Sequence, residues 1–220
     1  MLISLNNTRR VLLTALILFF LLPGSGSPAS AEEGTWSKLA YAIPSRRAFR
    51  IPSPDRTKTV LVQEMMLAVT EAGGTVPGIE GFTLLFPSEI AWASDSKAFV
   101  LTANEGGQDE AWYVTVFVLE YDRVNYYDVT AEAAGRFKER FACLAGDEPN
   151  IGAIKWLKES RNLLLVAEVP AHVICSDKNA RWGYIVEIPS GKVLSELEPK
   201  KLQDDWGEYL GLRFVKKSRR

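Results

Sequence analysis

Two stretches of this chain repeat one another closely enough to limit what it can fold into. Ile90-Ala91-Trp92-Ala93-Ser94-Asp95-Ser96-Lys97 runs into the apolar segment Ala98-Phe99-Val100-Leu101-Thr102, and Ile154-Lys155-Trp156-Leu157-Lys158-Glu159-Ser160-Arg161 runs into Asn162-Leu163-Leu164-Leu165-Val166-Ala167. In both, Ile and Trp alternate onto one face, a polar turn containing Ser follows, and a buried strand comes next. A weaker copy, Ile51-Pro52-Ser53-Pro54-Asp55-Arg56-Thr57-Lys58 before Val60-Leu61-Val62, has no Trp and reads with a turn one residue longer. Internal similarity of this kind marks stacked units, none of which buries its apolar face alone.

The residues after each copy extend the pattern. Ala111 to Glu120 and Arg123 to Val129 are alternating aromatic and β-branched runs, while Trp182 to Ile188, the turn Pro189-Ser190-Gly191-Lys192 and Val193 to Leu197 read as a later hairpin. Three to four short antiparallel strands per unit is the composition of a propeller blade. These residues resemble the TolB-type and WD40-like β-propeller repeats, whose blades carry Trp or Phe, then Ser-Pro-Asp-Gly-Lys, then a buried strand. The matching positions are Ser53-Pro54-Asp55, Trp92-Ala93-Ser94-Asp95-Ser96-Lys97, and Tyr184-Ile185-Val186-Glu187-Ile188 with Ser190-Gly191-Lys192, within residues 45–200.

The departures are specific. The turn Gly is missing from all three copies, Glu159 stands for Asp in the third, and the interval before the third copy is longer. A full propeller takes about 40 to 45 residues per blade and at least four blades. The resemblance therefore implies a mostly β chain of antiparallel, propeller-like blades forming a partial or small propeller, with a β-sandwich of the same hairpins as the alternative. An inserted helix over Thr130 to Phe141 accounts for the longer interval, since Ala133, Phe137 and Phe141 recur at helical spacing behind Thr130 as N-cap. A second short helix is expected from Pro199 to Trp206, with Pro at the first helical position, and Leu210, Leu212 and Phe214 alternate as a closing strand over Tyr209 to Val215.

The amino terminus reads as a secretory signal: Arg9 and Arg10, an apolar core from Val11 to Leu22, then a breaker stretch ending in Ala29-Ser30-Ala31. The apolar core is about 12 residues against the roughly 20 of a spanning helix. Cleavage after Ala31 is expected, so that residues 1–31 are the signal peptide and 32–220 one domain, periplasmic or secreted, without a stable membrane span. Removing Arg9 and Arg10 moves the formal charge from −1 to about −3. That mixed, weakly acidic balance argues against a nucleic-acid partner, which calls for a basic stripe, and the basic Lys216-Lys217-Ser218-Arg219-Arg220 reads as a solvated tail. Cys143 and Cys175, the two cysteines, are expected to pair in an oxidising compartment.

No catalytic, metal or cofactor motif stands out. Any Ser-His-Asp or Cys-His arrangement would rest on the single His172. The neighbouring carboxylates Asp109-Glu110, Asp147-Glu148 and Asp204-Asp205 lack calcium-loop spacing, and Glu105 to Glu110 reads as a hairpin loop rather than a phosphate cradle. Among the six Trp, Trp92 and Trp156 belong to the repeat core, whereas Trp112, Trp182 and Trp206 are the candidates for a partner surface. The expectation is an exported, non-enzymatic binding or assembly module, holding an envelope protein or another cell-envelope component and needing no cofactor. The alternative is an envelope hydrolase or enzyme inhibitor.

Overall fold

Short alternating segments bounded by Pro, Gly, Ser and Asp turns become strands in the structure, a computed structural model that describes residues 35–43, 48–104, 111–144, 146–176 and 180–215. The signal segment and its cleavage point, the loop at 105–110 and the tail at 216–220 lie outside the described residues. The chain enters with β1 (Tyr41–Ile43). A first sheet follows, built from β2 (Phe49–Pro52), β3 (Lys58–Gln63), β4 (Met66–Glu71) and β5 (Gly74–Val76), each antiparallel to the next. The second sheet comprises β6 (Ser88–Trp92), β7 (Ala98–Asn104), β8 (Trp112–Glu120) and β9 (Arg123–Asp128), and β1 adds to its first edge beside β6. After helix α1 (Ala131–Arg140) comes the third sheet, β10 (Asn150–Leu157), β11 (Asn162–Glu168), β12 (Arg181–Glu187) and β13 (Val193–Leu197). Helix α2 (Pro199–Trp206) and two single 3-10 turns, Gly207–Tyr209 and Leu212–Phe214, end the described chain.

The three copies are equivalent in backbone register at the turn, although in the third a bulge between Ala153 and Lys155 puts Ile154 on the face opposite Trp156, so that Ile and Trp do not share a face there as they do in the second. Pro52 pairs with Thr59, Trp92 with Phe99 and Trp156 with Leu163, so the first turn is the same length as the others and not one residue longer. Ser53 N donates to Lys58 O at 2.9 Å and Ala93 N to Ala98 O at 2.8 Å, and within these turns Asp55 Oδ1 accepts from Thr57 N and Asp95 Oδ1 from Lys97 N. The absent glycines leave their conformation behind: Arg56 (φ 61°) and Ser96 (φ 58°) occupy the left-handed region, which costs an L-residue roughly 1–2 kcal/mol.

The copies also dock on one another in the same way. Trp92 Nε1 donates to Ile51 O at 3.1 Å, and one sheet further Trp156 Nε1 donates to Ala91 O at 3.0 Å. Ser96 Oγ accepts from Asp55 N, and Ser160 Oγ donates to Asp95 Oδ2. Both Trp rings are half-buried, because each lies at a joint between sheets.

Apolar layers fill the joints. Val60, Val62 and Val69 of the first sheet meet Ile90, Phe99, Leu101 and Phe117 of the second, and Val100, Val114 and Val116 meet Leu163, Leu165 and Ala167 of the third. Helix α1 closes the second joint with Ala133 and Phe137. Thr130 precedes it without a side-chain cap; Glu132 instead takes Arg136 and the Val193 N–H. Beyond the helix, Cys143 and Cys175 form a disulfide with Cα atoms 5.5 Å apart, as expected, and the bridge is compatible with an oxidising compartment. Among the described residues the sheets close into no ring or barrel.

Tyr209 to Val215 is not a strand. Leu210 forms a single bridge to Ser37, and Leu212 and Phe214 fall on a 3-10 turn, with Gly211 N and Arg213 N bonded to carbonyls of the N-terminal segment at Trp36 and Thr35.

Candidate functional site

Residues from both ends of the chain meet on the outer face of the third sheet. Lys38 N donates to Tyr209 O at 3.0 Å, Gly211 N to Trp36 O at 2.8 Å and Arg213 N to Thr35 O at 3.0 Å, with Ser37 and Leu210 bridged between them. This short antiparallel ladder seats Trp36, fully buried, against β10. Gly152 is required there, since a Cβ would fall inside the Trp36 indole. Trp112 and Phe214 meet Trp36 edge-on, with ring centroids 6.0 and 5.8 Å away. Ile154, Leu164, Val166, Leu197, Leu202 and Leu210 complete the layer.

Two buried carboxylates hold this clasp. Glu168, at the end of β11, is 4 % exposed and binds Arg181 at 3.2 Å and Arg213. Arg181 continues to Arg213 O at 3.0 Å and lies over Phe214, while Arg213 lies over Trp36. Two guanidiniums and two aromatic faces thus compensate the desolvation of one carboxylate. Glu89 of β6, 3 % exposed, is compensated differently: its oxygens accept from Trp36 N and Ser37 N, each at 3.2 Å, while Ser37 Oγ donates to Ile154 O at 2.6 Å. Burial pushes the Glu89 carboxyl up to about 7, with the backbone N–H groups pulling the other way.

Leu39, Tyr41, Leu212 and Val215, between 40 and 58 % exposed, lie in or close in sequence to the two clasp segments, among the exposed Lys38 and Glu208, and are four of the nine large exposed hydrophobic residues described. Beside them Ala180, Pro199, Leu202, Leu210 and Phe214, with Arg181 at one side, line a cavity of about 240 Å³. In the larger groove between α1 and β13 both arginines are already paired, Arg136 with Glu132 and Glu196 and Arg140 with Glu196, and Glu139 adds a third carboxylate to the lining.

Of the three tryptophans expected on a partner surface, one is buried and two are half-buried. Trp112 is 8 % exposed and packs beneath Trp36, so it offers no surface. Trp206 is half-buried in the same cluster, beside Tyr209 and Lys155. Trp182 lies on the opposite face of the third sheet, half-buried with the Arg140 guanidinium 3.8 Å above its ring. Trp36 and Glu89, which organise the clasp, are the residues the repeat pattern missed; the available signal was an acidic residue inside the apolar strand Ser88-Glu89-Ile90-Ala91-Trp92. His172 is exposed, 4.0 Å from Asp147. Among the described residues no three His, Cys, Asp or Glu side chains are grouped to hold a metal ion, and no helix is long and apolar enough to cross a membrane. The description of this surface therefore rests on its own chemistry: no protein-family model matches the chain, and neither does any curated protein or solved structure.

Proposed function

We propose that this chain is a non-enzymatic binding or assembly module of a cell envelope, exported by its N-terminal segment and matured by cleavage after Ala31. In this reading the repeated sheets are a propeller-like scaffold and the clasp is the surface that holds an envelope component. The observation that carries it is the contrast between the two sides of the clasp. Inward, Glu168, Arg181, Arg213 and Glu89 are consumed in structural bonds; outward, Leu39, Tyr41, Leu212 and Val215 are left to solvent. Exposed apolar side chains on both clasp segments, beside charged groups already engaged in structural bonds, favour an interaction site over a reaction centre.

A photo-crosslinking side chain placed at Leu39 or Leu212 in living cells tests the proposal, with the exposed Tyr126 of β9 as control. Adducts from Leu39 and Leu212 in excess of those from Tyr126 are expected. Equal labelling at all three positions removes the clasp as the binding surface.

A further inference from the structure

We infer that the clasp holds the carboxyl-terminal residue of a partner polypeptide, its carboxylate at Arg181 and its apolar side chain in the cavity between α2 and Phe214. The inference rests on the binding reading above and gives it a chemical class. The charge balance at the clasp points there. Glu168 carries one negative charge and is bonded by two guanidiniums, Arg181 and Arg213. Among the described residues neither arginine lies within ion-pair distance of a second carboxylate, so one positive charge is left without a counter-charge. The two side chains are only 28 and 24 % exposed, and water screens that charge less than it would on an open surface. Arg181 uses Nε for Glu168 and Nη2 for Arg213 O, and Nη1 makes no bond among the described residues. The same side chain lines the cavity of about 240 Å³, where an anion would complete the balance.

The rest of the lining selects what carries the anion. Leu202, Leu210 and Phe214 are apolar walls, and the exposed Gln203 is the other polar group. An inorganic anion would leave those walls bare, and an Asp or Glu side chain of a partner brings its carboxylate without an apolar group beside it. A carboxyl-terminal residue carries both on one Cα. The guanidinium is positioned in advance, because it lies 4.5 Å over the Phe214 ring as well as against Glu168. The cavity is smaller than the roughly 300–1,000 Å³ usual for free small molecules. It therefore accepts a group the size of one residue, and the remainder of a polypeptide supplies contacts outside it. Capture of a chain terminus is a recurring mode of peptide recognition.

Fluorescence anisotropy of the full chain with labelled pentapeptides ending in leucine or phenylalanine, each as free acid and as amide, tests the inference. The acids should bind at least about tenfold more tightly than the amides, as a charge-assisted hydrogen bond requires. They should also bind more tightly than an acid ending in glycine. Arg181→Gln should erase the difference between acid and amide. Because Arg181 also holds Glu168, Gln203→Trp serves as a second variant: its position on α2 is exposed and touches neither guanidinium bond. It should weaken binding of the acids by obstructing the rim while the urea midpoint stays unchanged. Equal binding of acids and amides, no binding at millimolar peptide, or an acid preference that survives Arg181→Gln overturns the inference. Isocaproate binding as tightly as the leucine peptide would make a free acid the ligand and overturn the polypeptide assignment. Should the acid preference be absent while Leu39 and Leu212 still give adducts in excess of Tyr126, the binding surface stands without this pocket; with no such excess, both readings fall.

Discussion

Leu61, Leu101 and Leu165 hold the same position in three successive repeats, each two residues past the pair that closes the turn. Leu101 is enclosed between the first and second sheets and Leu165 between the second and third. Leu61 alternates with Val60 and Val62, both fully buried on the inner face, so it points outward and is only half-buried. The strands record the same difference: β7 and β11 are buried at each residue, whereas β3 is not. The repeat sets the shape of a strand, and the layers on either side set its burial. At the first sheet the outer face carries Thr59, Thr70 and Thr75 around Leu61 and Ala68, and water suffices as a neighbour. The outer face of the third sheet carries Ile154, Leu164 and Val166, and the chain ends supply the layer that this face demands.

Removing that layer should produce the largest effect. Trp36→Ala is expected to lower the free energy of unfolding by about 3–5 kcal/mol, as for other emptied aromatic core sites. Urea denaturation checks it, and a loss below about 1 kcal/mol would show that the third sheet stands without its cover.

The repeat comparison itself is sharpened by paired truncations. Leu165→Ala should cost about 2–5 kcal/mol and Leu61→Ala less than about 1 kcal/mol, despite their equivalent positions. Equal costs would mean that a further layer covers the first sheet in solution, and the asymmetry argued above would be lost.

A further effect concerns Glu89 and appears only with pH. Its folded carboxyl titrates at about 7, above the ordinary value of 4.5, so folding favours the protonated form. Its contribution is therefore fully present below about pH 4.5 and is lost as pH rises through about 7, by up to about 3 kcal/mol. Glu89→Gln removes this dependence. Denaturant midpoints across that window should fall more steeply for the unmodified chain than for the variant; parallel curves would assign the slope to other groups.

Much of the stack was legible because its signals are local. Trp92 and Trp156 head polar turns of fixed length, and the strands after them are apolar on both faces, a pattern that only burial between layers explains. The turn at Ser53 looks one residue long when Lys58 is matched to Lys97; in the structure Lys58 corresponds to Ala98, each carbonyl accepting the bond that closes its turn. Helix α2 was visible through Pro199 and the spacing of Leu202 and Trp206. The clasp was not visible. Trp36 lies outside any repeat, and its neighbours Gly152, Trp112 and Phe214 are far away in sequence. Leu210, Leu212 and Phe214 alternate over too short a stretch to separate a strand from two 3-10 turns. Trp112 misled for a similar reason: an aromatic residue at the start of a strand carries no mark of the ring that will cover it.

The ladder between Thr35–Lys38 and Tyr209–Arg213 also sets an order of assembly. Successive sheets are local meanders whose pairings close over short loops, and such contacts form early. The ladder joins the first described residues to nearly the last, so during synthesis the outer face of the third sheet waits, uncovered, until the carboxyl-terminal segment has emerged. Throughout that interval Ile154, Leu164 and Val166 are exposed to association with other nascent chains. The same dependence makes the fold sensitive to truncation at either end: loss of the residues after Leu210 would take from Trp36 the Phe214 ring, the Arg213 guanidinium and the bond from Gly211 N, while the three sheets remained paired.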